Sequence, residues 1–260
     1  MTVRLLWLSI ASIWTWLILG LSILLWLPLL GLIRLVTAPF DPGRYWVGLF
    51  FRQLARVTVI ANPLWRFRTS GVRLRDPRRP YVVVSNHESF SDILLISLLP
   101  WEMKWMSKIE ILRIPILGWD MRLAGDIPVD RANRRSAVRA LQLSRAVLGR
   151  KVSVMIFPEG TRSADGEMLP FKDGAFRLAV DAGVPILPLA LAGTRTALRK
   201  HDWRFGKAIA EVRVLDPVET TGLKTADIPA LRNRVFQQIH EAREELRRQH
   251  TDRGEDLPED

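Results

Sequence analysis

The first 35 residues stand apart from the rest of the chain. From position 5 to position 33, between Arg4 and Arg34, no side chain is ionisable, and Leu, Ile and Trp dominate. About 20 such residues cross a bilayer core, and a soluble helix seldom stays apolar on every face for so long. The pattern predicts a membrane helix over residues 5–27 that turns at Pro28 and Gly31. Two other readings share it: a buried core helix, and a cleaved signal peptide with Val36 and Ala38 as its small-residue pair, although such hydrophobic regions run to only ~7–15 residues. Residues 44–62 mix Trp46, Phe50, Phe51 and Leu54 with Arg44, Arg52 and Arg56, which predicts an amphipathic helix lying in an anionic interface. Trp7, Trp14, Trp16, Trp26, Trp46 and Trp65 fall in this region, suited to the headgroup layer or to packing between the two helices.

From Trp65 onward short apolar runs alternate with amphipathic stretches. Strands are expected at 67–74, 81–85, 123–129, 152–157, 186–190 and 208–215. Helical stripes fall at Ala137, Leu141, Ser144 and Leu148, then at Ala175, Leu178 and Ala179, and a last helix carries Leu231, Val235, Ile239, Ala242 and Leu246 with its other faces charged and solvated. The alternation predicts an α/β fold: a central mixed, largely parallel sheet flanked by helices, behind a two-helix hydrophobic anchor. The anchor would take residues 1–62, the globular domain 63–250, and a disordered acidic tail 251–260.

Charge and composition narrow the function. With 38 Lys+Arg against 27 Asp+Glu the net charge is +11, which calls for an anionic partner such as a nucleic acid, an acidic membrane face or a phosphorylated substrate. Cys is absent, excluding disulfides, a thiolate nucleophile and Cys-ligated metals. His201, His240 and His250 are the only other histidines and none stands at ligand spacing to His87, so no metal is expected. Only Arg4 precedes the apolar run whereas Arg34, Arg44, Arg52 and Arg56 follow it, which would put the rest of the chain in the cytoplasm.

Two strands end on polar clusters, where open α/β sheets place their sites. The first is Asn86-His87-Glu88-Ser89-Phe90-Ser91-Asp92. Five residues are about 140° around a straight helix, so His87 and Asp92 meet only if His87 sits in the loop and Asp92 in the first helical turn. Asp92 would then fix the imidazole tautomer and leave the other ring nitrogen to take a proton. The plainer alternative is a structural histidine beside a helix cap. The second cluster is Phe157-Pro158-Glu159-Gly160-Thr161-Arg162-Ser163. Gly160 permits close backbone approach, and Thr161 and Arg162 supply donors for a phosphate dianion. The chain has no Walker loop, dinucleotide fingerprint or Gly-x-Ser-x-Gly elbow.

These two clusters resemble the first and third motifs of the glycerolipid acyltransferase family, specifically its bacterial 1-acyl-glycerol-3-phosphate acyltransferases. Gly125-Asp126-Ile127-Pro128-Val129-Asp130-Arg131 is similar to the second motif and Val184-Pro185-Ile186-Leu187-Pro188 to the fourth, with Ser107-Lys108-Ile109-Glu110 between the first two. The resemblance implies a glycerol-3-phosphate acyltransferase-like fold and transfer of a fatty acyl chain from acyl-CoA or acyl carrier protein to the sn-2 hydroxyl of lysophosphatidate. It makes His87 and Asp92 the general-base pair and Arg162, Arg131 and Lys108 the phosphate holders, with Gly160 and Thr161 in the same binding loop. Glu159 is either a ligand for the glycerol portion or an orienter of Arg162. No cofactor, metal or nucleic acid is implied; the partners are membrane phospholipids and the two substrates. The site would work on the cytoplasmic face of the inner membrane. Another lysolipid acceptor, such as a lyso-ornithine lipid, and a non-catalytic phospholipid-binding protein are the remaining readings.

Overall fold

The computed structural model describes residues 3–163, 166–198 and 202–255. Two helices, α1 (Val3–Thr37) and α2 (Tyr45–Ala61), precede an α/β domain. Its elements follow as β1 (Trp65–Gly71), β2 (Val82–Ser85), α3 (Ser91–Ile96), β3 (Met103–Lys108), α4 (Leu117–Ala124), β4 (Ile127–Val129) and α5 (Arg134–Gly149). Then come β5 (Ser153–Ile156), α6 (Gly174–Ala182), β6 (Ile186–Ala192), β7 (Ala208–Val214) and α7 (Ile228–Asp252).

The strands form one sheet in the order β1-β7-β6-β2-β5-β3-β4. Every neighbouring pair is parallel except β6 and β7. Successive side chains on a strand point to opposite faces, and both faces here are apolar. Val82, Val84, Val154 and Ile186 pack under Leu148, Phe176, Val235 and Ile239 from α5, α6 and α7. Val83, Met155, Leu187 and Val212 pack under Leu95 and Ile96 of α3 and Trp101. Burial on both faces explains why these strands read as continuous apolar runs rather than alternating ones.

The apolar N-terminal stretch is one helix that continues through Pro28 to Thr37, ten residues beyond the expected turn. Proline removes one backbone donor, and the helix is held on both sides of it, by Leu19 and by the fully buried Leu30, which pack on Val47, Phe51 and Leu54 of α2. At ~1.5 Å per residue α1 exceeds the ~30 Å bilayer core. Its small and hydroxyl residues Ala11, Ser12, Thr15 and Ser22 face the protein, while Leu6, Trp7, Ile10, Ile13, Leu17 and Leu21 are exposed. Trp14, Trp16 and Trp26 donate indole N–H bonds to the carbonyls of Ala61, Trp203 and Phe50, and Trp16 and Trp26 also stack on Phe205 and Phe50, while Trp14 stays half exposed. Trp7 and Trp46 are half exposed.

The second helix is also fastened to the α/β domain. Arg52 is buried, and its guanidinium grips both oxygens of Asp126, just before β4, at 2.5 and 3.2 Å. Glu102, fully buried, lies 3.5 Å from the same arginine and accepts from Lys104 Nζ at 2.8 Å. A basic residue assigned by its spacing to the membrane side is thus the joint between α2 and the sheet. Two further expectations change. The run 123–129 divides into the end of α4 and the short β4, because residue 125 is a helix-ending glycine in the left-handed region (φ 87°). The strand β3 escaped notice because Glu102 and Lys104 interrupt its apolar pattern and find their partners only after folding. The C-terminal helix continues through the start of the predicted tail to Asp252, and Glu255 pairs with Arg68 at 2.7 Å. Residues 256–260 lie outside the described residues.

Candidate active site

Because β2, β5, β3 and β4 run parallel and adjacent, their carboxyl ends deliver residues 86–92, 157–163, 108–110 and 130–131 to one edge of the sheet. His87 lies in the loop leaving β2, and Asp92 stands in the first turn of α3. Nδ1 of His87 is 2.8 Å from Oδ2 of Asp92, and that oxygen also accepts the backbone N–H of Glu88 at 2.7 Å and of Ser89 at 3.0 Å. Three donors converge on one fully buried carboxylate. The imidazole therefore carries its proton on Nδ1 and presents Nε2 as a base. Its ring stacks on Phe157 at 3.8 Å and 10°, which sets the plane. Asn86 pins the loop from behind: its amide group both donates to and accepts from the backbone of Leu191 on β6, at 3.0 and 2.9 Å.

The turn after β5 is stapled to the same histidine. Glu159 Oε1 accepts His87 N–H at 2.8 Å, Oε2 accepts Leu169 N–H at 2.9 Å, and Ser163 N–H donates to the His87 carbonyl at 3.1 Å. Glu159 thus spends both oxygens on backbone amides, an arrangement that neither expected role describes. Burial pushes its carboxyl up to about 7 against the pull of those two amides. Gly160 (φ 76°) occupies the left-handed region that favours glycine, and its carbonyl accepts from Arg131. Thr161 and Arg162 continue the turn, exposed to solvent. Lys108, at the end of β3, pairs with exposed Glu110 at 3.4 Å rather than with the turn. Direct bonds thus join His87, Asp92, Glu159, Gly160 and Arg131.

Two neighbours were missed. Arg243 of α7 is 2% exposed and donates to Glu88 at 2.8 Å and to the carbonyl of Gly166. Burial raises Glu88 to about 7, opposed by that arginine. Nothing in the charged stripe of α7 separates Arg243 from its solvated neighbours. Lys172 follows the loop after Leu169; a Cβ placed on Gly160 would meet its Nζ at 2.7 Å. The only signal for it was its position three residues after Leu169. His201 lies outside the described residues.

Comparison with known proteins bears on this geometry directly. An acyltransferase family model matches residues 66–192, from β1 to the end of β6, and so covers every group just described except Arg243. Residues 66–192, just under half of the chain, are similar to that family. Among its relatives is a sheep (Ovis aries) 1-acyl-sn-glycerol-3-phosphate acyltransferase alpha, 42% identical over 65% of this chain and 60% of that protein. A chloroplastic 1-acyl-sn-glycerol-3-phosphate acyltransferase of Arabidopsis thaliana is 39% identical over 60% of this chain and 44% of its own length. The chain thus spans about 60% or less of the curated relatives it matches. The crystal structure of a Thermotoga maritima 1-acyl-sn-glycerophosphate acyltransferase superposes on 94% of this chain and 98% of its own, with a TM-score of 0.77 and 25% identity.

Proposed function

We propose that this protein transfers a fatty acyl chain from acyl-CoA or acyl carrier protein to the sn-2 hydroxyl of 1-acyl-glycerol-3-phosphate, forming phosphatidate. The observation that carries the reading is His87: its Nδ1 is fixed by Asp92, and its backbone is bonded on both sides to the turn that carries Arg162 and takes the bond from Arg131. The relatives' names point to the same acceptor.

The chemistry follows from those groups. Nε2 of His87 removes the acceptor's hydroxyl proton as that oxygen attacks the thioester carbonyl. The carbon–sulfur bond breaks, and the thiolate leaves and takes the proton from the imidazolium. Asp92 stabilises the imidazolium while it exists. Arg131 and Arg162 hold the acceptor's phosphate, and no acyl-enzyme forms, in keeping with a chain that has no Cys. The apolar face of α1 presents the site to lipid. Polar bonds tie the middle of α1 to its neighbours, at Ser12 with Phe205 of the domain and at Trp26 with Phe50 of α2, which suits a helix lying shallowly in the membrane with the domain against the cytoplasmic surface.

The deciding measurement is thiol release from acyl-CoA by the detergent-solubilised protein and its His87→Ala variant, with lysophosphatidate and two other lysolipids offered in parallel. Release that depends on lysophosphatidate and vanishes in the variant supports both acceptor and base. An equally active His87→Ala variant would refute the mechanism, and release with another lysolipid alone would move the acceptor.

A further inference from the structure

Two cations meet one glycine, and a third follows it in the same turn. The carbonyl of Gly160 is taken by Arg131, and the face where its side chain would stand is occupied by the ammonium of Lys172. Arg162 extends from the same turn two residues on. Lys172 is exposed, its backbone amide is fixed to the carbonyl of Pro158 at 2.9 Å, and Phe171 before it is buried in the core. The lysine is therefore held in place at its root while its head remains without an acidic partner among the described residues. Bonds from Glu159 and Ser163 to His87 keep this cation cluster within one turn of the base. Cations gathered on a fixed backbone beside a base, with only the exposed Glu110, itself paired with Lys108, acting on Arg131 and no carboxylate on Lys172 among the described residues, call for a ligand of more than one negative charge.

We infer that Lys172 is a specificity residue that reads the second negative charge of a phosphomonoester acceptor. The inference rests on the acceptor reading above and adds to it. Lysophosphatidate is a phosphomonoester whose second ionisation falls near pH ~6, so at neutral pH it presents a dianion with three acceptor oxygens. A lysolipid with a larger head group is a phosphodiester and presents one charge. Two arginine forks satisfy the singly charged group; a third cation gains only from the dianion. Lys172 thereby separates monoester from diester acceptors, a distinction that the four motifs do not carry. It lies outside all of them, which is why no motif signals it.

The test compares the full-length wild type with Lys172→Met and Lys172→Arg, all in detergent, between pH 5 and 8. Lysophosphatidate serves as acceptor, and lysophosphatidylglycerol is scored as substrate or as competitive inhibitor. Lys172→Met should raise KM for lysophosphatidate at pH 7.5 by ~10- to 100-fold, the size expected for losing one charge-assisted hydrogen bond. It should weaken lysophosphatidylglycerol far less, and the gap in KM should close below pH ~6 as the phosphate takes its second proton. Lys172→Arg should recover most of the affinity. An unchanged KM, or an equal loss on both lysolipids at every pH, overturns the inference while leaving the acyl-transfer reading intact. A wild type inert toward lysophosphatidate but active on the diester overturns the acceptor reading itself and this inference with it.

Discussion

At the scale of single residues, protons decide the behaviour of this site. Asp92 accepts three bonds on one oxygen. Asp92→Asn keeps the shape but removes the charge that holds Nδ1–H and steadies the imidazolium, so kcat should fall by ~10²–10⁴-fold with little change in KM, measured by thiol release. Glu159 titrates near 7 because burial disfavours its charge. In the unfolded chain it would titrate near ~4.3. Between those values the folded protein binds the extra proton, so this contribution to stability is complete below pH ~4.3 and is lost as pH rises through about 7. Glu88 acts in the same direction. Glu159→Gln keeps an oxygen for one amide but cannot titrate, so its melting temperature should vary less between pH 4 and 8 than that of the wild type. An unchanged profile would assign the dependence to the other buried carboxyls raised to about 7, Glu88 and Asp120.

Among the elements, the joint between α2 and the sheet has the clearest consequence. Gly48 on α2 stands so close to Glu102 and Lys104 that an added Cβ would fall 1.9 Å from a carboxylate oxygen and 2.5 Å from the ammonium. Gly48→Ala must push the helix away or break that pair. Arg52→Leu leaves Asp126 buried without its cation and Glu102 with Lys104 alone, a loss of ~3–5 kcal/mol by the measure of other broken buried pairs. Both variants should melt earlier in detergent and be cut sooner by protease between α1 and β1, while the isolated ion pair Lys108–Glu110, exposed on both sides, should tolerate Lys108→Ala with no measurable loss of stability. Asp126 belongs to the second motif, so part of that motif serves to seat the helix and part, through Arg131, to build the turn at Gly160.

For the whole molecule, α1 is a helix long and apolar enough to cross a membrane and is also a wall of the domain. Ala11 packs with Val59, Trp65, Leu94 and Phe205, and Ser12 accepts the backbone N–H of Phe205 at 2.8 Å. Deleting residues 1–38 should therefore do two things. It should abolish flotation with vesicles at high salt, and it should expose enough apolar surface to make the remainder aggregate, seen by size-exclusion chromatography. A monomeric, fully active remainder would show that α1 is an anchor alone. The net charge of +11 adds a salt-sensitive attraction to the vesicle surface that hydrophobic insertion does not share.

The sequence by itself determined whatever depends on neighbours along the chain. The apolar run of α1, the valine-rich β2, the heptad-like stripes of α5 and α7 and the two polar clusters are all local, because burial imposes a period and a strand's end imposes a loop. The pairing of His87 with Asp92 was legible as one of two readings, since five residues allow their meeting only if a helix starts between them; the family resemblance favoured it. Tertiary structure alone decided the partners that are distant in sequence. Arg52 meets Asp126 across 74 residues, Glu88 meets Arg243 across 155, and Glu159 meets the His87 amide across 72. A charged residue on an amphipathic pattern is written as solvent-facing unless a counter-charge is known to wait for it, and the position of that counter-charge is set by the order of strands in the sheet, which no local spacing encodes.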